Sequence, residues 1–247
     1  MLYDGKDGEF DIKLFQNPTA QYRAAPFWSW NCKLDKDLLT EQIEILKEMG
    51  FGGFNMHSRS GMATKYLGDE FMQRIEDCCR KAESENMLAW LYDEDRWPSG
   101  LAGGYVTEDK RYRQRVLCFS EKAAKFMPKA DALKNGGAYL LAVYDIELDK
   151  NGFLKSYRTI GESDCALGIK RYAYVKPADE RTMFNGQTYL DTLSKDAVKK
   201  FIEVTHEKYK EKIGKYFGKT VPAIFTDEPQ FAFIQNLPSC DSGADVN

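Results

Sequence analysis

Histidine is scarce in this chain: His57 and His206 are the two present in 247 residues. A zinc centre built from several imidazoles is therefore disfavoured. The six cysteines show no metal-ligand spacing, and Cys78 and Cys79 are adjacent, a poor arrangement for a mutual bridge. All six read as free thiols, mostly packing residues. No apolar run approaches the ~20 residues that cross a bilayer. Basic charge is not in excess either, and a net charge of -3 offers little to nucleic acid or an anionic membrane. No glycine-rich phosphate loop opens a helix. The polar start from Met1 to Asp7 has no apolar signal core behind it, which leads to the expectation of a cytoplasmic location.

What is present fits a globular protein, with 43% hydrophobic and 30% charged residues. The length suits one barrel-sized domain, or a smaller domain with an insertion. Pro26-Phe27-Trp28-Ser29-Trp30-Asn31 reads as a short strand, with Trp28 and Trp30 on one side. Asp35 can cap a helix carrying Leu39, Ile43 and Leu46, and Gly50 stands where a helix end needs positive φ. Residues 51–56 form a second strand, and His57-Ser58-Arg59-Ser60-Gly61 the loop after it. A second helix runs from Asp69 to Glu85, with Phe71, Ile75, Cys78 and Ala82 on one face. The strand Leu88-Ala89-Trp90-Leu91-Tyr92 opens into Asp93-Glu94-Asp95-Arg96-Trp97-Pro98-Ser99-Gly100.

From about 111 to 177 the pattern is strand-like. Segments 138–144 and 153–160 flank Asp149-Lys150-Asn151-Gly152, a hairpin turn, and 167–175 can pair with them. This is read as a β-rich insertion. Helical rhythm resumes at Ser194 with a stripe of Val198, Phe201, Ile202, Thr205 and Tyr209. His206 within it reads as structural. A fourth strand, 223–226, ends in Asp227-Glu228-Pro229, and the polar stretch Ser239 to Asn247 reads as a loose tail.

Strand and helix in alternation predict an α/β fold with a parallel sheet. Polar residues follow each strand: Asn31, then His57 and Arg59, then 93–96, then Asp227 and Glu228. In a (β/α)₈ barrel such positions converge on one mouth. The expected architecture is thus a single domain over 1–247, about the first four βα units of a barrel, with the β-rich insertion at about 111–177.

Glycoside cleavage requires a carboxylic acid to protonate the leaving oxygen and a second carboxylate as base or nucleophile. Glu228 ends a strand among apolar neighbours, where partial burial would raise its pKa as an acid catalyst requires. The 93–97 loop sets carboxylates and an arginine beside an indole, a mixture suited to sugar hydroxyls and ring faces. Asp93 and Asp95 are also of the right type for calcium. The plainer alternatives are a charged turn whose ions pair together, and a buried structural histidine at His57.

Five segments together resemble the N-terminal barrel portion of glycoside hydrolase family 106, the α-L-rhamnosidase-like enzymes. They are Pro26 to Asn31, the Gly52-Gly53-Phe54 strand into Met56-His57-Ser58-Arg59, Tyr92 to Gly100, Leu190-Asp191-Thr192-Leu193, and Phe225-Thr226-Asp227-Glu228-Pro229. The resemblance runs from about Phe15 to Pro229. It implies a barrel that hydrolyses a terminal α-L-rhamnosyl or related deoxysugar linkage with inversion, with calcium near the sugar. It further implies Glu228 as general acid. Asp93, Glu94, Arg96, Trp97, His57 and Arg59 would line the sugar subsite, with Asn31, Asp191 and Asp227 nearby. Family members are longer, with four further barrel strands. No partner carboxylate is evident here beyond Asp93 or Glu94 as stand-ins. The open sheet edges of a half barrel lead to the expectation of a homodimer. The competing expectation is a carbohydrate-binding or structural half-barrel without chemistry.

Overall fold

The structure, a computed structural model, describes residues 10–231 and 245–246. In chain order the elements are α1 Ile12–Gln16, β1 Phe27–Trp30, α2 Lys36–Glu48, β2 Gly53–Ser58, α3 Asp69–Ser84 and β3 Leu88–Tyr92. They continue with β4 Arg115–Ser120, α4 Lys129–Asn135, β5 Tyr139–Leu148, β6 Leu154–Ile160 and β7 Ile169–Pro177. The last are α5 Lys195–Val204, α6 His206–Ile213, β8 Ile224–Phe225 and β9 Asp245–Val246. The described chain forms two compact units, one of residues 10–103 with Phe201–Pro229, the other of 104–200 with 230, 231, 245 and 246. The second unit is wider than the segment 111–177 that reads as strand-like.

The first unit holds a parallel sheet in the order β1-β2-β3-β8. Register partners in such a sheet project to one side. Trp28, Trp30, Phe54 and Met56 share one face, where Trp28 meets Phe54 at 5.2 Å and Trp30 meets Phe71 of α3 at 5.8 Å between ring centroids. Trp30 is thus a core residue, while Trp28 on the same side is half-buried and donates its indole N–H to Gln42 at 2.9 Å. Asp35 caps α2 by accepting from the amides of Asp37 and Leu38, both at 3.0 Å. Gly50 ends that helix at φ 89°. On α3, Phe71, Met72, Ile75, Cys78, Cys79 and Ala82 are buried. Glu76 of the same helix pairs with Lys212 and Lys215 at 3.1 and 3.3 Å. Gly53 is needed where β2 meets β3, since a Cβ there would lie 2.3 Å from the Leu88 carbonyl oxygen.

Two boundaries differ from expectation. The second strand runs from Gly53 to Ser58, so His57 lies inside it rather than in the following loop. The helical stripe after Ser194 is broken at Thr205, whose hydroxyl donates to the Phe201 carbonyl at 2.6 Å and competes with the helix ladder. Phe201, Thr205 and Tyr209 are buried, but Ile202 faces solvent.

The second unit is an antiparallel sheet in the order β6-β5-β7-β4-β9. The hairpin between β5 and β6 turns where expected. Asp149 accepts from the amides of Asn151 and Phe153 at 2.8 and 2.9 Å, and Gly152 takes φ 82°. Most of the stretch read as a loose tail lies outside the described residues, but Asp245 and Val246 pair with β4 as a strand. Cys32, Cys78, Cys79, Cys118 and Cys165 are free, the first and last exposed; Cys240 lies outside the described residues. Among the described residues no helix is long and apolar enough to cross a membrane.

Candidate functional site

The loops that leave β3 and β8 meet at the carboxyl end of the parallel sheet. The 93–103 loop is organised by Glu94, which is 1% exposed. Both of its oxygens accept backbone amides: Asp95 and Gly103 on Oε1, and Gly100, Leu101 and Ala102 on Oε2. Positive φ at Ala102 and Gly103 curls the chain so that these amides converge. Burial pushes the carboxyl up to about 7, while the amides pull the other way. Glu94 was expected against substrate. Its lone pairs are occupied by the loop itself, so its place is structural.

Asp93 is likewise enclosed. The Ser99 hydroxyl donates to Oδ1 at 2.6 Å, the Thr226 hydroxyl to Oδ2 at 2.6 Å, and His206 Nε2 lies 3.0 Å from Oδ2. Asp93 thereby ties the β3 loop to β8 and to α6. Ser99 adds two further links, accepting from the Asp227 amide at its hydroxyl and donating its own amide to the Asp227 carbonyl, each at 2.9 Å. Tyr209 completes the seam by donating its hydroxyl to the Tyr92 carbonyl at 3.0 Å. His206, expected to be merely structural in its helix, is thus part of the buried polar hub. Nothing local in the sequence signals this, since its partner is 113 residues away.

On this seam stand Asp227 and Glu228. Glu228 has φ 43°, an uncommon backbone state for a residue with a Cβ and doubly restricted before Pro229. Its Oε2 accepts the indole N–H of Trp97 at 2.9 Å. Glu228 is exposed, which corrects the expected partial burial. The burial falls one residue earlier: Asp227 is partly buried, and desolvation pushes its carboxyl up while the Tyr92 hydroxyl, 3.4 Å away, pulls it down. Trp97 is 39% exposed and presents indole surface beside Glu228.

The other expected residues divide. Arg96 is exposed and its guanidinium is engaged by Asp95 at 3.0 and 2.7 Å, the self-paired turn that charge alone suggested. His57 is buried on the sheet face opposite the helices, stacked on Tyr92 at 3.9 Å between centroids. Burial first, and the Arg59 charge second, lower its pKa to about 4, so the ring is neutral at pH 7. Arg59 is exposed, with Nη1 3.4 Å from His57 Nε2. Asn31 is exposed at the end of β1. Asp191 belongs to the second unit, where its carboxylate accepts the Leu193 amide at 3.1 Å in the turn before α5.

A calcium ion does not fit the acidic loop. Asp93 is engaged by three donors and Oδ2 of Asp95 by Arg96, and among the described residues no three carboxylate, thiol or imidazole groups converge on one point.

No family model and no curated protein matches the chain. Among solved structures, the rhamnosidase from Novosphingobium sp. PP1Y is similar at 16% identity and a TM-score of 0.38, over 58% of this chain and 17% of that one. The chain therefore spans under a fifth of that protein's length in the match, and a likeness of this grade carries no argument about activity.

Proposed function

We propose that this chain is the first part of a (β/α)₈-type glycoside hydrolase that acts on a terminal α-L-rhamnosyl or related deoxysugar linkage, with Glu228 as general acid. The observation that carries the proposal is the setting of Glu228. A carboxylate at the carboxyl end of a parallel strand, in a strained backbone state, is held by an exposed indole 2.9 Å away. Strain of this kind costs roughly 1–3 kcal/mol and persists where surrounding contacts over-determine it. The links through Ser99 and Asp93 are such contacts. Glu228 would give its proton to the leaving oxygen, and Trp97 would stack an apolar sugar face while fixing the carboxyl rotamer. Asp227 and Arg59 would take sugar hydroxyls. The segment resemblance described above supplies the sugar class.

Asp93 and Glu94 do not serve as the second carboxylate, because every lone pair that faces a donor is already used. That saturation favours one alternative, a carbohydrate-binding unit without chemistry of its own. A homodimer belongs to the same proposal, since β1 and β8 have no further strand beside them among the described residues. Light scattering on the purified chain checks this point, and a monomer contradicts it.

The test of the main reading is release of nitrophenol from 4-nitrophenyl α-L-rhamnopyranoside by the purified chain and by Glu228→Gln. A loss of roughly 10²-fold or more in the variant is expected of a general acid. Equal rates in both proteins would overturn the assignment. No turnover in either, with sugar affinity kept in both, would favour the binding unit.

A further inference from the structure

A cavity of about 370 Å³ opens at one end of the antiparallel sheet, where β4 and β5 begin and β7 ends. That volume lies at the small end of the range for ligand sites. Its floor is made of small residues for local reasons. Gly136 ends α4 at φ 71°, and a Cβ there would press on the Lys110 stem at 3.0 Å. A Cβ on Gly137 would lie 2.5 Å from the Met127 sulfur. The turn therefore stays bare, and charged side chains from other segments set the walls. Lys110 and Arg113 come from before β4, Lys176 from the end of β7, and Asp179 and Glu180 from the turn after it.

Donors outnumber acceptors here. Lys110 meets no carboxylate among the described residues, and its ammonium rests on the Asn135 carbonyl at a long 3.4 Å. Arg113 is largely buried, with its side chain 12% exposed. Its Nε donates to the Thr107 carbonyl at 2.8 Å and its Nη1 to Glu180 at 2.6 Å, which leaves Nη2 without an acceptor among the described residues. Arg115 stands behind the wall, giving Nη1 to the Gly137 carbonyl at 3.4 Å and Nη2 to the Ala132 and Leu133 carbonyls at 3.3 and 3.2 Å. Its Nε is buried and has no partner among the described residues. Burial disfavours its charge, a cost that a nearby anion offsets. The two carboxylates do this poorly. Their side chains are 86% and 60% exposed, Asp179 reaches Lys176 only at 3.8 Å, and Glu180 takes a single Arg113 nitrogen. Thr188 is 1% exposed and donates its hydroxyl to the Tyr189 carbonyl at 2.7 Å, so toward a ligand it can only accept.

We propose that this cavity binds a small molecule that carries a carboxylate or a phosphate beside a hydroxyl. Arg113 and Lys110 hold the anionic group, and Thr188 accepts from the hydroxyl. A guanidinium supplies donors in a fixed plane and an ammonium a compact charge, a combination that suits an oxyanion. The site belongs to the antiparallel unit alone and does not depend on the hydrolase reading. The rival reading is that these cations serve only to hold the carbonyls at the end of α4 and to pair with Asp179 and Glu180.

Three probes share one carbon skeleton: D-glycerate carries the carboxylate, glycerol 3-phosphate the phosphate, and glycerol neither. Isothermal titration of the whole chain should show saturable binding of at least one of the two anions and none of glycerol. The tighter of the two names the anionic group. Lys110→Met should weaken that anion roughly threefold to tenfold with the urea midpoint unchanged, since the side chain pairs with no carboxylate among the described residues. Arg113→Met should weaken it further. Glu180→Gln acts in the opposite direction. It releases the Arg113 guanidinium and removes a like charge, so it should tighten the anion about threefold. Failure of both anions to saturate, or equal binding of glycerol, would overturn the site. So would an anion affinity that Lys110→Met and Glu180→Gln leave unchanged, which would assign the cations to the rival structural role.

Discussion

The two units hold a buried carboxylate in opposite ways. In the parallel unit Glu94 is enclosed by neutral amides and meets no cation, so burial dominates and its carboxyl is pushed up to about 7. In the antiparallel unit Asp145 accepts the amides of Leu167 and Gly168 at 2.9 and 2.8 Å and the Arg158 guanidinium at 2.7 and 2.9 Å. Those partners hold its carboxyl below the ordinary range. The difference lies in what each fold requires. A strand pair can place an arginine across from an aspartate, whereas a loop wound on itself has only its own backbone to offer. The first arrangement ties a loop in place, and the second closes a sheet edge.

The largest effect should come from Glu94→Gln. A carboxamide presents N–H groups to amides that also donate, so the variant should lose roughly 3 kcal/mol of stability or more. Asp145→Asn, whose carboxamide oxygen can keep the Leu167 amide and the exposed Arg158 while its N–H group faces the Gly168 amide alone, should lose clearly less. Urea unfolding of both at pH 7 makes the comparison, and an equal loss would break it.

The pH dependence sharpens it. Glu94 is raised from 4.5 to about 7, so its contribution is complete below pH 4.5 and is lost as pH rises through 7. His57 is lowered from 6.5 to about 4, so its contribution is complete above pH 6.5 and is lost as pH falls through 4. The two slopes oppose each other between these limits. Glu94→Gln should therefore lose stability on acidification from pH 6.5, and His57→Gln should gain it, with the parent chain flatter than either. Parallel curves for all three would contradict the stated protonation states.

A smaller effect is expected at Tyr209→Phe, which deletes the hydrogen bond to the Tyr92 carbonyl. It should cost about 1 kcal/mol and show in the thermal midpoint. No change would mean that this bond does not help to seat α6, which packing and the His206 contact to Asp93 then hold.

The sequence exposed much of the frame, because the frame is specified locally. The Asp35 cap, the glycine at 50, the apolar run that becomes β5 and the Asp149 turn each act within a few residues. The site was legible only as a set of polar residues after strands. Its wiring joins Trp97 to Glu228 across 131 positions and Ser99 to Asp227 across 128. No periodicity carries such information. The acidic run at 93–95 misled in one respect, since charge implies exposure, yet Asp93 and Glu94 are buried and satisfied by hydroxyls, an imidazole and backbone amides.

Glu94 holds the seam between the two acidic loops, and Glu228 is the residue on it proposed as the acid. The most direct measurement is the urea stability of Glu228→Gln beside that of Glu94→Gln. The exposed Glu228 should change by less than about 0.5 kcal/mol, because the carboxamide oxygen still accepts the Trp97 indole, while Glu94→Gln falls by several times as much. A Glu228→Gln protein that unfolds as readily as Glu94→Gln would show that Glu228 is itself a structural strut, and would contradict its proposed place as the reacting group.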